Sequence, residues 1–528
     1  MAHATNPILP GFNPDPSILR VGEDYYIATS TFEWFPGVQI HHSRDLIHWE
    51  LIARPLNRQS QLDMTGEKAS CGVWAPCLSY SDGLFYLIFT DVKSYDGYIW
   101  DAHNYLVTAK DICGDWSDPV YLNSSGFDPS LFHDRDGRKW LVNMYADPRL
   151  YHNKFGGIVM QEYSPQEKRL VGEAKIISKG SGMSCTEGPH LYWHDGYYYL
   201  MAAEGGTGYA HAVSLFRSKK LEGPYETSPN HPLITAAPWV DGTIQKAGHG
   251  SLVEAANGRW YVVHLGSRPV TSERLCILGR ETCIEEVVWE DGWLKLKNPD
   301  GKPQEILEIA GTETLDSTPV CRDMTETFDG DSWSIHFQSL RHGLGADASL
   351  TERKGWLRLY GRESLYSDFH QTLLARRQQS FFCQVTTKME MNPGDIQHQA
   401  GLVYFYDNQS FYYCFVTRDE SRGKVLNLLC SALRRYSMPL GDGISIPEDG
   451  PVWLRLETKK ELAQFYWSLD GETYQELGPA LMAGVLSDDY YNRDGQMRFT
   501  GAFIGICAQD ISGQRRYADF DEFVYREL

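Results

Sequence analysis

Short apolar runs broken by polar turn residues set the pattern of this chain. Tyr25-Tyr26-Ile27-Ala28, Leu84-Phe85-Tyr86-Leu87-Ile88-Phe89, Lys139-Trp140-Leu141-Val142 and Gly258-Arg259-Trp260-Tyr261-Val262-Val263 are each bounded by Gly, Asp or Asn. Runs of this length, rich in aromatic and β-branched residues, predict strands, and no long stretch keeps a helical period. The turns next to them are alike: Val21-Gly22-Glu23-Asp24, Ser81-Asp82-Gly83, Asp134-Arg135-Asp136-Gly137, His194-Asp195-Gly196 and Ala256-Asn257-Gly258. Asp-Gly and Asn-Gly pairs favour hairpins because both central turn residues need φ > 0.

A similar strand stands just upstream of each turn. The five are Asp15-Pro16-Ser17-Ile18-Leu19, Ala75-Pro76-Cys77-Leu78-Ser79, Asp128-Pro129-Ser130-Leu131-Phe132, Glu187-Gly188-Pro189-His190-Leu191 and Gly248-His249-Gly250-Ser251-Leu252-Val253. Their starts at 15, 75, 128, 187 and about 248 leave room for one four-stranded sheet per copy, which predicts a five-bladed β-propeller. The bland alternative is an irregular β-rich assembly with coincidental turns. Trp-bearing turns close the blades, as in Asp45-Leu46-Ile47-His48-Trp49-Glu50 and Gly114-Asp115-Trp116-Ser117-Asp118-Pro119. The fifth copy ends near Trp293, and Lys297-Asn298-Pro299-Asp300-Gly301-Lys302-Pro303 reads as linker. Alternating strands then recur without the repeat, at Trp356–Tyr360, Ala400–Phe405, Val452–Leu456 and Phe465–Gly471, and predict a sandwich of two antiparallel sheets. We therefore expect an all-β protein with a propeller at 1–300, a linker at 301–324 and a sandwich at 325–528.

Composition narrows the function. With 49 Lys and Arg against 69 Asp and Glu, the net charge of −20 argues against binding nucleic acid or an anionic membrane surface. The 528 residues exceed one ordinary core, and no window approaches the run of about 18 apolar residues that spans a bilayer. The opening residues have no basic region ahead of an apolar stretch. Eleven cysteines, an odd number without a Cys-x-x-Cys pair, read as reduced thiols and as no zinc site, so we expect a cytoplasmic protein.

In a propeller the starts of the innermost strands converge at one mouth. Three of the five starts are carboxylates, Asp15, Asp128 and Glu187. Any single Asp-Pro can be a turn cap, but like charges gathered in a concave site push their pKa values apart. One group then stays an acid at neutral pH while another stays ionised, as glycosidic bond hydrolysis requires.

Asn13-Pro14-Asp15-Pro16-Ser17, Gly72-Val73-Trp74-Ala75-Pro76, Phe127-Asp128-Pro129-Ser130, Thr186-Glu187-Gly188-Pro189 and Leu278-Gly279-Arg280-Glu281-Thr282 together resemble glycoside hydrolase family 43. The likeness is to the bacterial β-xylosidase branch with a C-terminal, concanavalin-like β-sandwich, and it covers essentially the whole chain. It implies that Asp15 is the general base, Glu187 the general acid, and Asp128 the residue that orients substrate and tunes the acid. Such an inverting pair stands about 6.5–9.5 Å apart to admit a water. The resemblance makes Arg280 a ligand of sugar hydroxyls; the alternative is an ion pair with Glu281 or Asp291. It makes His249 a residue beneath the site, sometimes a ligand to a metal or water, against the alternative of a packed core histidine. Trp74 and Phe32 match aromatics that wall the sugar site, where filling the core is the alternative.

In the sandwich, Met497-Arg498-Phe499-Thr500-Gly501-Ala502-Phe503 resembles the stretch from which relatives send a Phe into the propeller mouth, Phe499 being favoured over Phe503. The alternative leaves both in the sandwich core. Asp521, beside Asp519, resembles the residue on a last strand that supplies oxygen to a structural Ca²⁺, with Asp329 as partner; alternating acids there also suit a solvated face. No cofactor is expected for the chemistry. The resemblance thus implies an exo-acting β-1,4-xylosidase that acts on xylooligosaccharides, with α-L-arabinofuranosidase activity as secondary or rival, and a homo-oligomer, dimer or tetramer. The rival of another class is a non-catalytic carbohydrate-binding propeller.

Overall fold

Each predicted turn reverses the chain onto its own preceding strand, and the hairpins build meanders. The computed structural model describes residues 2–309 and 321–528. Five antiparallel sheets follow one another along the chain, with inner strands Ser17–Val21, Gly72–Ser81, Ser130–His133, Glu187–His194 and Gln245–Glu254. In each, the next strands lie progressively outward, as Lys139–Ala146, Phe155–Ser164 and Arg169–Ser178 do in blade 3. At Asp82-Gly83 and Asp195-Gly196 both turn residues have φ > 0, as the dipeptides require.

The blades are joined by apolar contacts, one core at each interface. Ile40 of blade 1 packs with Leu87 and Val107 of blade 2, Ile88 of blade 2 with Leu141 of blade 3, and Val142 of blade 3 with Leu200 of blade 4. Leu215 of blade 4 meets Val262 of blade 5, and Val263 of blade 5 meets Ile18 and Ile27 of blade 1. The ring closes through the N-terminal segment. Leu9 and Thr282 exchange backbone hydrogen bonds, and the Asn6 amide bonds both the N–H and the C=O of Ile284.

The linker expected at 301–324 is shorter than the sequence suggested. Ile306–Ile309 pairs antiparallel with Ala2–Thr5, so the propeller unit runs to 309, and Met324–Glu326 already pairs with the last strand of the sandwich. Residues 310–320 of that linker lie outside the described residues.

The sandwich has two antiparallel sheets. One is centred on Phe382–Met391 between Val452–Lys459 and Tyr517–Glu527; the other runs Thr372–Arg377, Phe503–Asp510, His398–Asp407, Ser410–Asp419 and Gly423–Ala432. Their inward faces share a core that includes Leu402, Tyr404, Leu454, Phe465 and Phe520. The outer face of the second sheet is not solvated: Val403, Phe405 and Phe503 join Phe12, Phe32 and Trp34 of the propeller in one apolar cluster. Trp34–Phe35 pairs with Ser339–Leu340, and Phe503 stacks on Trp34 at 3.7 Å between ring centroids. The sandwich is thus fastened across the propeller mouth. All eleven cysteines are free thiols.

Candidate active site

Every inner strand enters the mouth through a left-handed residue. Asp15, Ala75, Asp128, Gly188 and His249 have φ of 55°, 35°, 56°, 54° and 51°. Four of the five carry side chains, for which this region is costly, and strain of this kind persists where the surrounding structure fixes it. Pairing slips at the same points, between Trp74 and Cys77, Glu187 and His190, and Gly248 and Gly250. Such irregularities re-aim side chains at the end of a strand.

This register corrects one expectation. Gly188, not Glu187, stands level with Asp15 and Asp128, so Glu187 occupies the position held by Trp74 and Phe127 in blades 2 and 3. Asp15, Asp128 and Glu187 still line one cavity of ≈ 660 Å³ including its mouth, together with Arg280, His249, Trp74, Phe32 and Phe499. The offset brings the Glu187 carboxyl from the aromatic wall, while the two aspartates come from the kinks.

Asp15 is fixed from two sides. Its Oδ2 accepts from Ser30 Oγ at 2.7 Å, and its Oδ1 from Arg280 Nη1 at 2.8 Å. Ser30 Oγ in turn accepts from the Ala75 N–H at 2.7 Å, which ties the Asp15 loop to blade 2. His249 Nδ1 lies 3.7 Å from Asp15 Oδ1. Burial holds the His249 ring below the usual histidine range, against the pull of Asp15. The bare Cα of Gly188 makes room for that ring, since a Cβ there would stand 2.9 Å from its Cε1.

Glu187 and Asp128 are pushed the other way. Burial, reinforced by the charge of Asp15 and opposed by Arg280, raises Glu187 to about 8. Asp128 is held well above the carboxylate range by burial, then by Glu187 and Asp15, although its Oδ2 accepts from the Gly188 N–H at 3.1 Å. The site therefore holds a protonated carboxyl at neutral pH near a carboxylate gripped by an arginine.

Arg280 joins both domains. Besides Asp15 it donates to Thr207 Oγ1 at 3.1 Å and, through Nη2, to the Phe499 carbonyl at 3.2 Å, and its Nε has no partner among the described residues. The alternative pairing with Glu281 does not occur: Glu281 takes a bidentate bond from Arg268. Phe499 closes one end of the cavity, with centroids 5.3 Å from Trp74, 5.5 Å from Tyr95 and 6.1 Å from Phe32. Ser70 holds this wall: its carbonyl accepts from Trp74 Nε1 at 2.9 Å and its Oγ from the Phe499 N–H at 3.1 Å. Phe503 stays in the interface core, stacked on Trp34.

Sequence reasoning missed Tyr95, Trp100, Phe155, Thr207 and His211, which also line the cavity. Tyr95 and Trp100 sit in Ser94-Tyr95-Asp96-Gly97-Tyr98-Ile99-Trp100, an aromatic loop after a strand, and Thr207 in Glu204-Gly205-Gly206-Thr207-Gly208; both were signals to read. His211 is buried and pushed down to about 3, first by burial and then by His249.

The calcium expectation is not met by the residues concerned. Asp521 pairs with Lys388 at 2.5 Å, and Asp519 with Arg358 at 2.7 Å and Arg353 at 3.2 Å. Among the described residues no group of three or more His, Cys, Asp or Glu side chains is placed to hold a metal ion, and Asp329 and Asp521 form no such group. A hard cation needs several free oxygens, and here cationic side chains take them.

Comparison with known proteins follows the same division of the chain. Residues 4–294 match the family described as Glycosyl hydrolases family 43, and residues 325–526 the Beta xylosidase C-terminal Concanavalin A-like domain. The chain is 48% identical to "Xylosidase/arabinosidase 43B" of Humicola insolens, with 100% of this chain and 98% of that protein covered. It is 46% identical to "Beta-xylosidase" of Bacillus subtilis (strain 168), with 99% of each covered. A crystal structure titled as xylan beta-1,4-xylosidase from Bacillus halodurans C-125 superposes with a TM-score of 0.95 at 52% identity, covering 99% of this chain and 100% of that one. Kinked inner strands bearing the acids, the arginine that grips Asp15 and these likenesses lead to one conclusion: the chain is a glycoside hydrolase that belongs to glycosyl hydrolases family 43, with the family's β-xylosidase sandwich behind its propeller.

Proposed function

We propose that the protein is an exo-acting, inverting β-1,4-xylosidase that removes xylose from the non-reducing ends of xylooligosaccharides. The observation that carries this is the pair of environments: Glu187 raised to about 8 by burial and by Asp15, and Asp15 held by Arg280 and Ser30. Glu187 protonates the leaving oxygen, and the Asp15 carboxylate takes a proton from the attacking water on the opposite face. Asp128 is kept neutral and bonded to the Gly188 amide, so it steadies the backbone next to Glu187 and presents its remaining oxygen to the sugar. Arg280 offers its fork to vicinal hydroxyls, and Trp74 and Phe32 give the pyranose flat apolar walls.

Exo action is supported by Phe499, which blocks one end of the cavity against Trp74 and Tyr95. A secondary α-L-arabinofuranosidase activity is favoured by the dual name of the Humicola relative. The reading includes a cytoplasmic location, supported by the odd number of cysteines, and a homo-oligomer, supported by the family likeness alone.

Leaving-group dependence tests the role of Glu187. Glu187→Gln is expected to lower turnover of xylobiose by about 10³-fold or more, while an aryl xyloside with an acidic phenol, which leaves without a proton, keeps far more of its rate. Equal losses on both substrates would remove Glu187 from the role of general acid.

A further inference from the structure

Behind the active site, blade 1 and the sandwich enclose a second cavity of ≈ 1650 Å³ including its mouth. Its lining is rich in basic side chains: His41, His42, Arg44 and His48 from the propeller, and Arg322, His336, Arg376 and Arg377 from the sandwich side, with burial and nearby arginines holding His41 well below the usual histidine range and His336 down to about 4. Several are neutralised locally. His42 and Arg44 share Asp24, His48 pairs with Asp45, and Arg322 makes a bidentate bond to Glu527.

Three arginines in this lining or just behind it have no carboxylate partner among the described residues. Arg54, Arg376 and Arg377 are all more than nine-tenths buried, and none has a carboxylate within 4 Å among the described residues. Arg377 donates through Nε to the Phe12 carbonyl and through Nη1 to Gln338, and its Nη2 has no partner. Arg376 bonds Gln379 at 2.6 Å and the Arg322 carbonyl at 3.4 Å, lies 3.8 Å from the centroid of the Tyr525 ring, and has no partner for its Nε among the described residues. Arg54, in the wall behind, bonds the Ile335 carbonyl and Gln39 and leaves Nη1 unpaired. His41 Nδ1, in the same lining, is likewise without a partner. The acids of the lining do not answer them: Glu50 is exposed, and Asp323 accepts from the Glu527 N–H and lies 3.7 Å from Arg526.

A guanidinium cannot shed its charge within the pH range of a folded protein, so burial without a counter-charge is strongly unfavourable. Several planar forks facing one chamber match an oxyanion with more than one formal charge. We infer that this interdomain cavity is a binding site for a multiply charged small oxyanion, a phosphate or polycarboxylate group, clamped by Arg376 and Arg377 from the sandwich, with His41 of blade 1 as a further hydrogen-bond partner. The ligand would bridge the two domains. It would also stand behind the segment that carries the base, since Asn13 lines the cavity and Arg377 holds the Phe12 carbonyl.

The full chain in phosphate-free buffer tests this with inorganic phosphate and citrate as probes, against potassium chloride at equal ionic strength. Calorimetric titration is expected to give one saturable site per chain, and about 100 Kd of the better probe is expected to raise Tm by about 2–3 °C. The tighter of the two identifies the source as phosphate or polycarboxylate. Saturating xylose should not compete, which separates this cavity from the active site. Arg376→Met should abolish the shift, and His336→Ala, at the accessible rim, should weaken binding at least about 5-fold while turnover of xylobiose stays unchanged. Should Arg376→Met not fold, the His336→Ala result decides. Equal shifts with chloride, competition by xylose, or unaltered binding in His336→Ala would overturn the site. So would a wild type that responds to neither probe.

Discussion

The propeller and the sandwich are both antiparallel sheets around apolar cores, and they differ in how they treat charge. In the sandwich an acid meets a cation at once, as Asp519 meets Arg358 and Asp407 meets Arg498 at 3.1 Å. At the propeller mouth three acids are buried around a single arginine, and two of them are held far above their usual range. The left-handed non-glycine residues of the sandwich, such as Leu433, Arg434 and Lys460, stand in hairpin turns, whereas Asp15, Ala75, Asp128 and His249 ring the mouth. Chemistry is therefore concentrated where a repeated sheet is kinked inward, while the sandwich shapes and closes the pocket through Phe499 and the carbonyl that Arg280 reads.

The largest way to break this division is at the shared arginine. Arg280→Ala leaves Asp15 buried without its counter-charge and opens the sugar site, and kcat/KM on xylobiose is expected to fall by about 10²-fold or more. A loss under about 3-fold in steady-state kinetics would mean that the mouth does not depend on it.

The pH response sharpens the same contrast. Catalysis by Glu187 needs its proton, so kcat should fall above about pH 8. Stability follows from the same shift. A folded-state pKa raised from 4.5 to about 8 contributes stability that is complete below the unfolded value and is lost as pH rises through the folded one. Glu187→Gln lacks this loss, so its Tm relative to wild type should rise by several degrees between pH 5 and pH 8 and then level off. A constant difference across that range would contradict a raised Glu187.

A smaller effect is expected where the sandwich only shapes the pocket. Phe499→Ala should shift the ratio of kcat/KM for xylobiose and for long xylan by about 5-fold toward the polymer, with the chemical step retained. An unchanged ratio would place exo selectivity elsewhere. The smallest belongs to the sandwich surface: Asp521→Asn removes a half-exposed pair with Lys388 and should cost no more than about 1 kcal/mol by denaturant unfolding.

Much of this was legible along the chain because a propeller repeats its signals. The turns at Asp82-Gly83 and Asp195-Gly196 and the Asp-Pro starts at 15 and 128 announce the blades and two of the acids. The offset at Glu187 was hidden, because Glu-Gly-Pro aligns with Asp-Pro in two registers and only the backbone kink at Gly188 separates them. The strand Ile306–Ile309 was hidden for another reason: it is four residues long and its partner is Ala2–Thr5, at the other end of the propeller. Tyr95 and Trp100 escaped since an aromatic loop looks like a strand end until the mouth is assembled around it. The cavity that Arg376 and Arg377 share with His41 has no signature in sequence, because only domain docking encloses it.

The central claim is that Asp15 activates a water for direct displacement while Glu187 protonates the leaving sugar. Time-resolved proton NMR of wild-type enzyme on xylobiose, recorded before mutarotation, tests it most directly. The account predicts α-xylose as the first product from the non-reducing end; β-xylose appearing first would mean retention and would contradict the role given to Asp15.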